Sequence, residues 1–291
     1  MSTKKVEIIV QPRPAHFVGD GFRVHNFIPS GYRLDMKRMD PFIMLDYNSK
    51  FHFSGTETPR GVGVHPHRGF ETVTIAYHGR VEHADSAGGG GVIGEGDVQW
   101  MTAASGVLHK EFHETEWAKQ GGIFQMVQLW VNLPSKDKMS PPKYQAIKNS
   151  EMKKVDLGEK GFVEVIAGEY QNEKGPASTF SPVNLMNAKL KKGGKADFSF
   201  PANFNTAALV VEGSISVNGE KNVPTDHFIL FKNEGESFII EATEDAVVLV
   251  ISGEALNEPI FAHGPFVMNS REEIIQAFED FNTGKFGYLE D

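Results

Sequence analysis

Thr72-Val73-Thr74-Ile75-Ala76-Tyr77-His78-Gly79 runs directly into Arg80-Val81-Glu82-His83. The first part is an apolar strand, Gly79 supplies a turn, and the second part alternates as a return strand does. The pattern recurs later, where Thr206-Ala207-Ala208-Leu209-Val210-Val211-Glu212-Gly213 precedes Ser214-Ile215-Ser216-Val217. One supersecondary unit met twice points to a degenerate internal repeat and to two β-barrels of one ancestry. Outward from these hairpins, short stretches rich in Val, Ile and aromatics fall at 98–102, 124–133, 162–168, 228–231, 238–241 and 246–251. Many short strands separated by Gly-containing breaks predict an all-β fold of sandwich or barrel type, not a doubly wound sheet. A single helix is well specified, near the C-terminus. Ser270 before Arg271-Glu272-Glu273 forms a capping box, Ile274, Phe278 and Phe281 recur at helical spacing, and Gly284 follows.

With 291 residues, the chain is long enough for about two domains at roughly 150 residues each. The polar, proline-bearing run Ser135–Lys143 suits an interdomain connection, which divides the chain into residues 1–135 and 136–291. Seven lysines lie between Lys136 and Lys160 with no Arg and a single aromatic, Tyr144, among them, so they read as the solvated face of a linker and loops. The 29 basic residues are outnumbered by 38 acidic ones, and a net charge of −9 disfavours direct nucleic-acid binding. Cysteine is absent, which excludes disulfides, zinc ribbons, iron–sulfur sites and thiol nucleophiles. Neither a membrane-length apolar run nor a signal-peptide start is visible, so the expectation is a cytoplasmic protein with no membrane contact, and a monomer.

The chemistry concentrates between His65 and His113. In a strand, residues i and i+2 share a face, so His65 and His67 can converge on one metal ion, and His109 and Glu111 repeat the geometry. Three neutral nitrogens and one anionic oxygen suit Fe(II), Ni, Mn, Cu or Zn. Glu71 shares the parity of His65 and His67 and competes with Glu111 for the fourth position. His113 continues the same face and is expected at the rim. His78 and His83 flank the Gly79 turn and are expected at the hairpin surface or as hydrogen-bonded core residues, while His227 and His263 have no partner at ligand spacing. Gly88 to Gly91 is no phosphate cradle, since no Gly-Lys-Ser/Thr follows, and reads as a mobile loop beside the site. Equating Gly79 with Gly213, and Asp97 with Asp226, maps the four ligands onto Ser199, Pro201, Phe238 and Ile240. None of these is a normal ligand, so the second barrel is expected to lack the metal.

Together, His65-Pro66-His67-Arg68-Gly69-Phe70-Glu71-Thr72-Val73-Thr74, Gly96-Asp97-Val98-Gln99-Trp100-Met101-Thr102-Ala103 and Gly106-Val107-Leu108-His109-x-Glu111 resemble the pirin family of the cupin superfamily. The ending Gly264-Pro265-Phe266-Val267-Met268-Asn269 does too, so the resemblance spans nearly the whole chain. It implies a bicupin: two cupin-type β-barrels with a short C-terminal helix, an N-terminal metal-binding cupin domain at 1–135 and a C-terminal cupin domain without ligands at 136–291. The family's metal ligands carry over onto His65, His67, His109 and Glu111. That choice leaves Glu71 as a hydrogen-bonding partner of a ligating imidazole. Ala104 stands where the general second cupin motif has Pro, so that motif is matched only through Gly106 and His109.

The resemblance implies one divalent metal ion, usually iron, with Ni, Mn, Cu or Zn as alternatives. Several members show quercetin 2,3-dioxygenase activity, and some eukaryotic members are transcriptional co-regulators. Three functions are therefore expected in descending order. The first is a quercetin 2,3-dioxygenase-type oxidoreductase acting on a small aromatic substrate with O2, with Glu111 as catalytic base. The second is a non-catalytic, metal- or redox-sensing binding module that regulates a protein partner. The third is another cupin enzyme, such as an isomerase or an acireductone-type dioxygenase.

Overall fold

The computed structural model describes residues 2–31 and 33–290, and they form two compact β units. One unit, here the N-barrel, comprises Pro14–Lys37, Pro41–Asn149 and Leu256–Asp291; the other, the C-barrel, comprises Met1–Arg13, Arg38–Asp40 and Ser150–Ala255. The two are built on one plan. The N-barrel has a seven-stranded antiparallel sheet in the order Lys143–Ile147, Val98–Thr102, Phe70–His78, Gly121–Asn132, Phe42–Ser54, Phe22–Ile28, His16–Val18. Its four-stranded sheet runs Gly61–His67, Val107–His113, Val81–Asp85, Gly90–Ile93. In the C-barrel the corresponding orders are Val6–Val10, Phe228–Phe231, Asn205–Glu212, Ala246–Gly253, Val183–Leu190, Gly161–Ala167, Lys153–Asp156, and Lys195–Ser199, Ser237–Ala242, Ser214–Val217, Lys221–Pro224. Strand for strand the pairings match, so the architecture is the all-β, two-barrel one expected, with the repeat hairpins at equivalent places. At both hairpin turns the glycine is required: Gly79 has φ +88 and Gly213 φ +71.

Strand exchange makes the units differ from a cut at 135/136. The strand Val6–Val10 pairs with Phe228–Phe231 of the C-barrel, whereas Lys143–Ile147 pairs with Val98–Thr102 of the N-barrel. Residues 256–291 also belong to the N-barrel: the strand Phe266–Met268 and the helix Arg271–Asn282 bury Phe266, Met268, Ile274 and Ala277 in one cluster with Phe286. The predicted cap of this helix is present, with Ser270 Oγ accepting from Glu273 N–H at 3.1 Å and the Glu273 carboxylate accepting in return.

Within the Ser135–Lys143 stretch, Lys138 is a correction to the solvated face expected there. Lys138 is 1% exposed, and its ammonium donates to Gly69 O and Asn132 Oδ1 at 2.7 Å and to Val267 O at 2.9 Å. Three donors meet three acceptors, which is what makes burying a lysine tolerable. The other six lysines of that region are exposed. The tetraglycine is likewise no loop throughout: Gly90 and Gly91 open the strand Gly90–Ile93, and Gly89 N–H bonds Asp85.

Candidate metal centre

Three imidazoles converge inside the N-barrel because two neighbouring strands present alternate residues to its interior. The strand Val107–His113 buries Val107, His109, Glu111 and His113 and leaves the residues between them half-exposed. Its antiparallel register sets His109 directly opposite His65, and His67 lies two residues further on the same face. The ring centroids are 4.2 Å apart for His65 and His109, 4.7 Å for His67 and His109, and 4.8 Å for His65 and His67. One ring nitrogen from each lies within 4.8 Å of the others.

The hydrogen bonds select which nitrogen faces inward. His65 Nδ1 is 2.8 Å from Gly63 O and His67 Nδ1 is 3.3 Å from Pro265 O, so each donates from Nδ1 and keeps the Nε2 lone pair. His109 Nδ1 lies 3.4 Å from His83 Nδ1, while its buried Nε2 has no hydrogen-bond partner. Burial, reinforced by the neighbouring imidazoles, pushes His67 and His109 well below the ordinary histidine value, which keeps them neutral. An orphaned, buried nitrogen beside two anchored imidazoles is a good fit to a first-row divalent cation and poor for anything apolar. Only His65 of the three is partly exposed, so the centre opens on that side. An aromatic wall stands by His67, where Phe70 and Trp130 stack at 4.2 Å with centroids 5.0 and 5.1 Å from the imidazole.

Glu111 sits in a second cluster, with His109 and His83. Its Oε1 accepts from Thr74 Oγ1 at 3.2 Å and from Gln99 Nε2, and its Oε2 accepts from Gln128 Nε2 at 2.7 Å. A carboxylate offers about four lone-pair directions, so one on Oε2 remains. Glu71 behaves differently. It is 1% exposed, lies in neither ligand cluster, and accepts from Thr102 Oγ1 at 2.7 Å rather than from an imidazole. Burial pushes it up to about 7, against the pull of that hydroxyl.

His113 is not at the rim. It is fully buried among Phe22, Phe53, Trp117 and Phe124, with Nε2 2.8 Å from Gly21 O, and burial lowers it to about 4. His83 takes the hydrogen-bonded core alternative, and it carries more than that expectation assigned. It faces Glu111 across the sheet, its Nε2 lies 3.2 Å from Asp85 Oδ2, and Tyr144 stacks on it at 5.0 Å and 15°. Sequence reasoning gave His83 no part in the site and passed over Asp85, Thr74, Gln99 and Gln128. The signal was available in part, since 81, 83 and 85 alternate on one strand face. A depression of about 310 Å³ lined by Glu82, Ala84, Lys110 and Phe112 lies along the same strands but includes none of the three clustered imidazoles.

Comparison with known proteins shows the family. Residues 21–131 match the family described as Pirin, and residues 185–287 match the Pirin C-terminal cupin domain. A crystal structure titled quercetin 2,3-dioxygenase from Acinetobacter baumannii is 50% identical, with a TM-score of 0.93 over 99% of this chain and 100% of that one. A Pseudomonas aeruginosa protein provisionally named as a quercetin 2,3-dioxygenase is 47% identical over 97% of this chain and 98% of its own. Pirin of Homo sapiens is 36% identical over 99% of this chain and 95% of its own. With both of its barrels matched and its imidazole cluster in the first of them, the chain belongs to the pirin family.

Proposed function

We propose that this protein is a quercetin 2,3-dioxygenase-type oxygenase, holding one divalent metal ion, iron(II) by our reading, on His65, His67, His109 and Glu111. The observation that carries the proposal is the convergence of three imidazoles with Nε2 lone pairs to offer, two of them buried and His65 partly exposed. Relatives named for quercetin dioxygenase support the substrate class, a small aromatic with O2. When bound, the metal supplies Lewis acidity that lowers a phenol's pKa, and a site for O2 chemistry.

The chain's own residues supply the rest. Trp130, partly exposed and backed by the buried Phe70 ring, offers a flat face for aromatic rings beside His67. The one remaining lone pair of Glu111 Oε2 would hold the metal or take the proton of the substrate's hydroxyl, one at a time, so Glu111 acts as base only when it lets go of the metal. The Thr74, Gln99 and Gln128 donors hold that carboxylate in place. The electron-rich ring then reacts with O2 and opens, losing carbon monoxide while the other atoms of both reactants remain in the product. Oxygen uptake by the Fe(II)-loaded protein with quercetin, beside His109→Ala, tests the assignment. Uptake by the wild type alone is expected; none from protein verified to hold metal overturns it.

A further inference from the structure

We infer that Asp85 and His83 form a relay that fixes the tautomer and the aim of His109, acting as positioning residues for the metal. The inference rests on the proposed ligand set, and its geometry is complete in the chain. Asp85 Oδ1 accepts two backbone N–H groups, from Ala87 and Gly89, both at 2.9 Å. Those donors pin the carboxylate and leave Oδ2 as the atom facing His83 Nε2 at 3.2 Å. An acceptor there demands that His83 carry its proton on Nε2. His83 Nδ1 is then a lone pair, and 3.4 Å away it meets His109 Nδ1, which must be the donor. His109 Nε2 is thereby left unprotonated and unpartnered, as a ligand must be. Every step follows from a donor facing an acceptor, starting at two backbone amides that cannot change role.

The packing is built to keep this chain of bonds in place. Asp85 and His83 are 6% and 2% exposed, and the Tyr144 ring covers His83. Glycine is enforced at position 89, where a Cβ would run into Asp85 Oδ2 and the Cβ of Tyr144. His65 and His67 are oriented by backbone carbonyls, which cannot be edited by a side-chain change. His109 alone of the three is oriented through side chains.

Asp85→Asn is the decisive change. The backbone donors keep Asn Oδ1, so the amide nitrogen faces His83 Nε2 and donates to it. His83 must then carry its proton on Nδ1 and His109 on Nε2, which blocks the ligand position. Nitrogen-15 NMR of the imidazoles in metal-free protein is expected to show His109 protonated on Nδ1 in the wild type and on Nε2 in Asp85→Asn. Titration with Co(II) alone is expected to show affinity falling about 10- to 100-fold in Asp85→Asn and in His83→Leu. His83→Gln, whose amide oxygen can accept from His109 Nδ1, is expected to recover most of it, which a merely space-filling role would not require. An unchanged His109 tautomer in Asp85→Asn overturns the relay. So does equal Co(II) loss in His83→Gln and His83→Leu, which would make His83 itself a ligand. Wild-type protein that fails to bind Co(II) would sink the ligand assignment, while the metal-free tautomer measurement would still decide the relay.

Discussion

The two barrels share one strand plan and bury opposite chemistry at equivalent places. In the N-barrel, His109 pairs across the sheet with His65; in the C-barrel, Phe238 pairs with Phe198 in the same relation. Two residues along, His67 corresponds to Phe200, and the three phenyl rings cluster at 5.3 to 6.2 Å where the imidazoles cluster at 4.2 to 4.8 Å. The cradle follows suit. Glu111 with Thr74, Gln99, Gln128 and His83 becomes Ile240 with Ala208, Ile229, Val250 and Val217. One interior holds a hydrogen-bonded network beside the unpartnered His109 Nε2, and the other is an apolar core. The scaffold therefore does not specify a metal site. A few inward residues do, and they replace apolar packing with hydrogen-bonded polar groups beside the unpartnered His109 Nε2.

The comparison breaks most sharply at one equivalent position. Phe238→Ala is expected to cost about 3–5 kcal/mol in urea unfolding and leave metal content unchanged. His109→Ala is expected to abolish stoichiometric metal binding, by elemental analysis, at smaller cost to the metal-free fold, because it removes an imidazole with an unsatisfied nitrogen. Similar behaviour of the two variants would show that the interiors are not functionally divided. Lys138→Met, which strands three oxygen acceptors in the N-barrel, is expected to lose about 1.5–3 kcal/mol by the same unfolding measurement. No equivalent loss is expected from Lys153→Met, which is exposed.

Acid should separate the barrels too. His113 has its folded value depressed to about 4 by burial, and His67 and His109 are depressed in the same direction. The unfolded chain binds these protons first, so the stability that these histidines contribute to the metal-free protein is full above about pH 6.5 and falls as pH drops toward 4. Glu71, pushed up to about 7, acts in the opposite sense and loses its contribution as pH rises through 7. Urea midpoints against pH would read this, with a shallower fall in His113→Phe; an unchanged slope would remove His113 from the account. The smallest effect is expected at Ser270→Ala, about 1 kcal/mol in thermal unfolding through the lost cap, with metal content intact.

Much of this was legible without coordinates. The strand segments, the capping box at Ser270 and the convergence of His65, His67 and His109 all follow from local pattern, because period-two alternation decides which residues share a face. Counting from Gly213 failed by one residue, however. It selected Ser199 and Pro201, which are exposed, instead of the buried Phe198 and Phe200. A slip of one residue moves a strand's whole set to the other face, and loop lengths between repeats are not visible as such in one sequence.

Local order in the chain determined the elements, the two-fold repeat and the identity of the three imidazoles. Tertiary structure decided what no spacing encodes. It exchanged the strands Val6–Val10 and Lys143–Ile147 between units, buried Lys138 against three acceptors, and sent His113 into an aromatic core. It separated Glu111, held by three donors, from Glu71, turned toward the Thr102 hydroxyl, although both share a plausible parity. And it brought Asp85 and His83 behind His109. Alternation fixes the face on which a side chain stands, whereas donors, acceptors and burial are set by distant strands that meet only when the sheet closes.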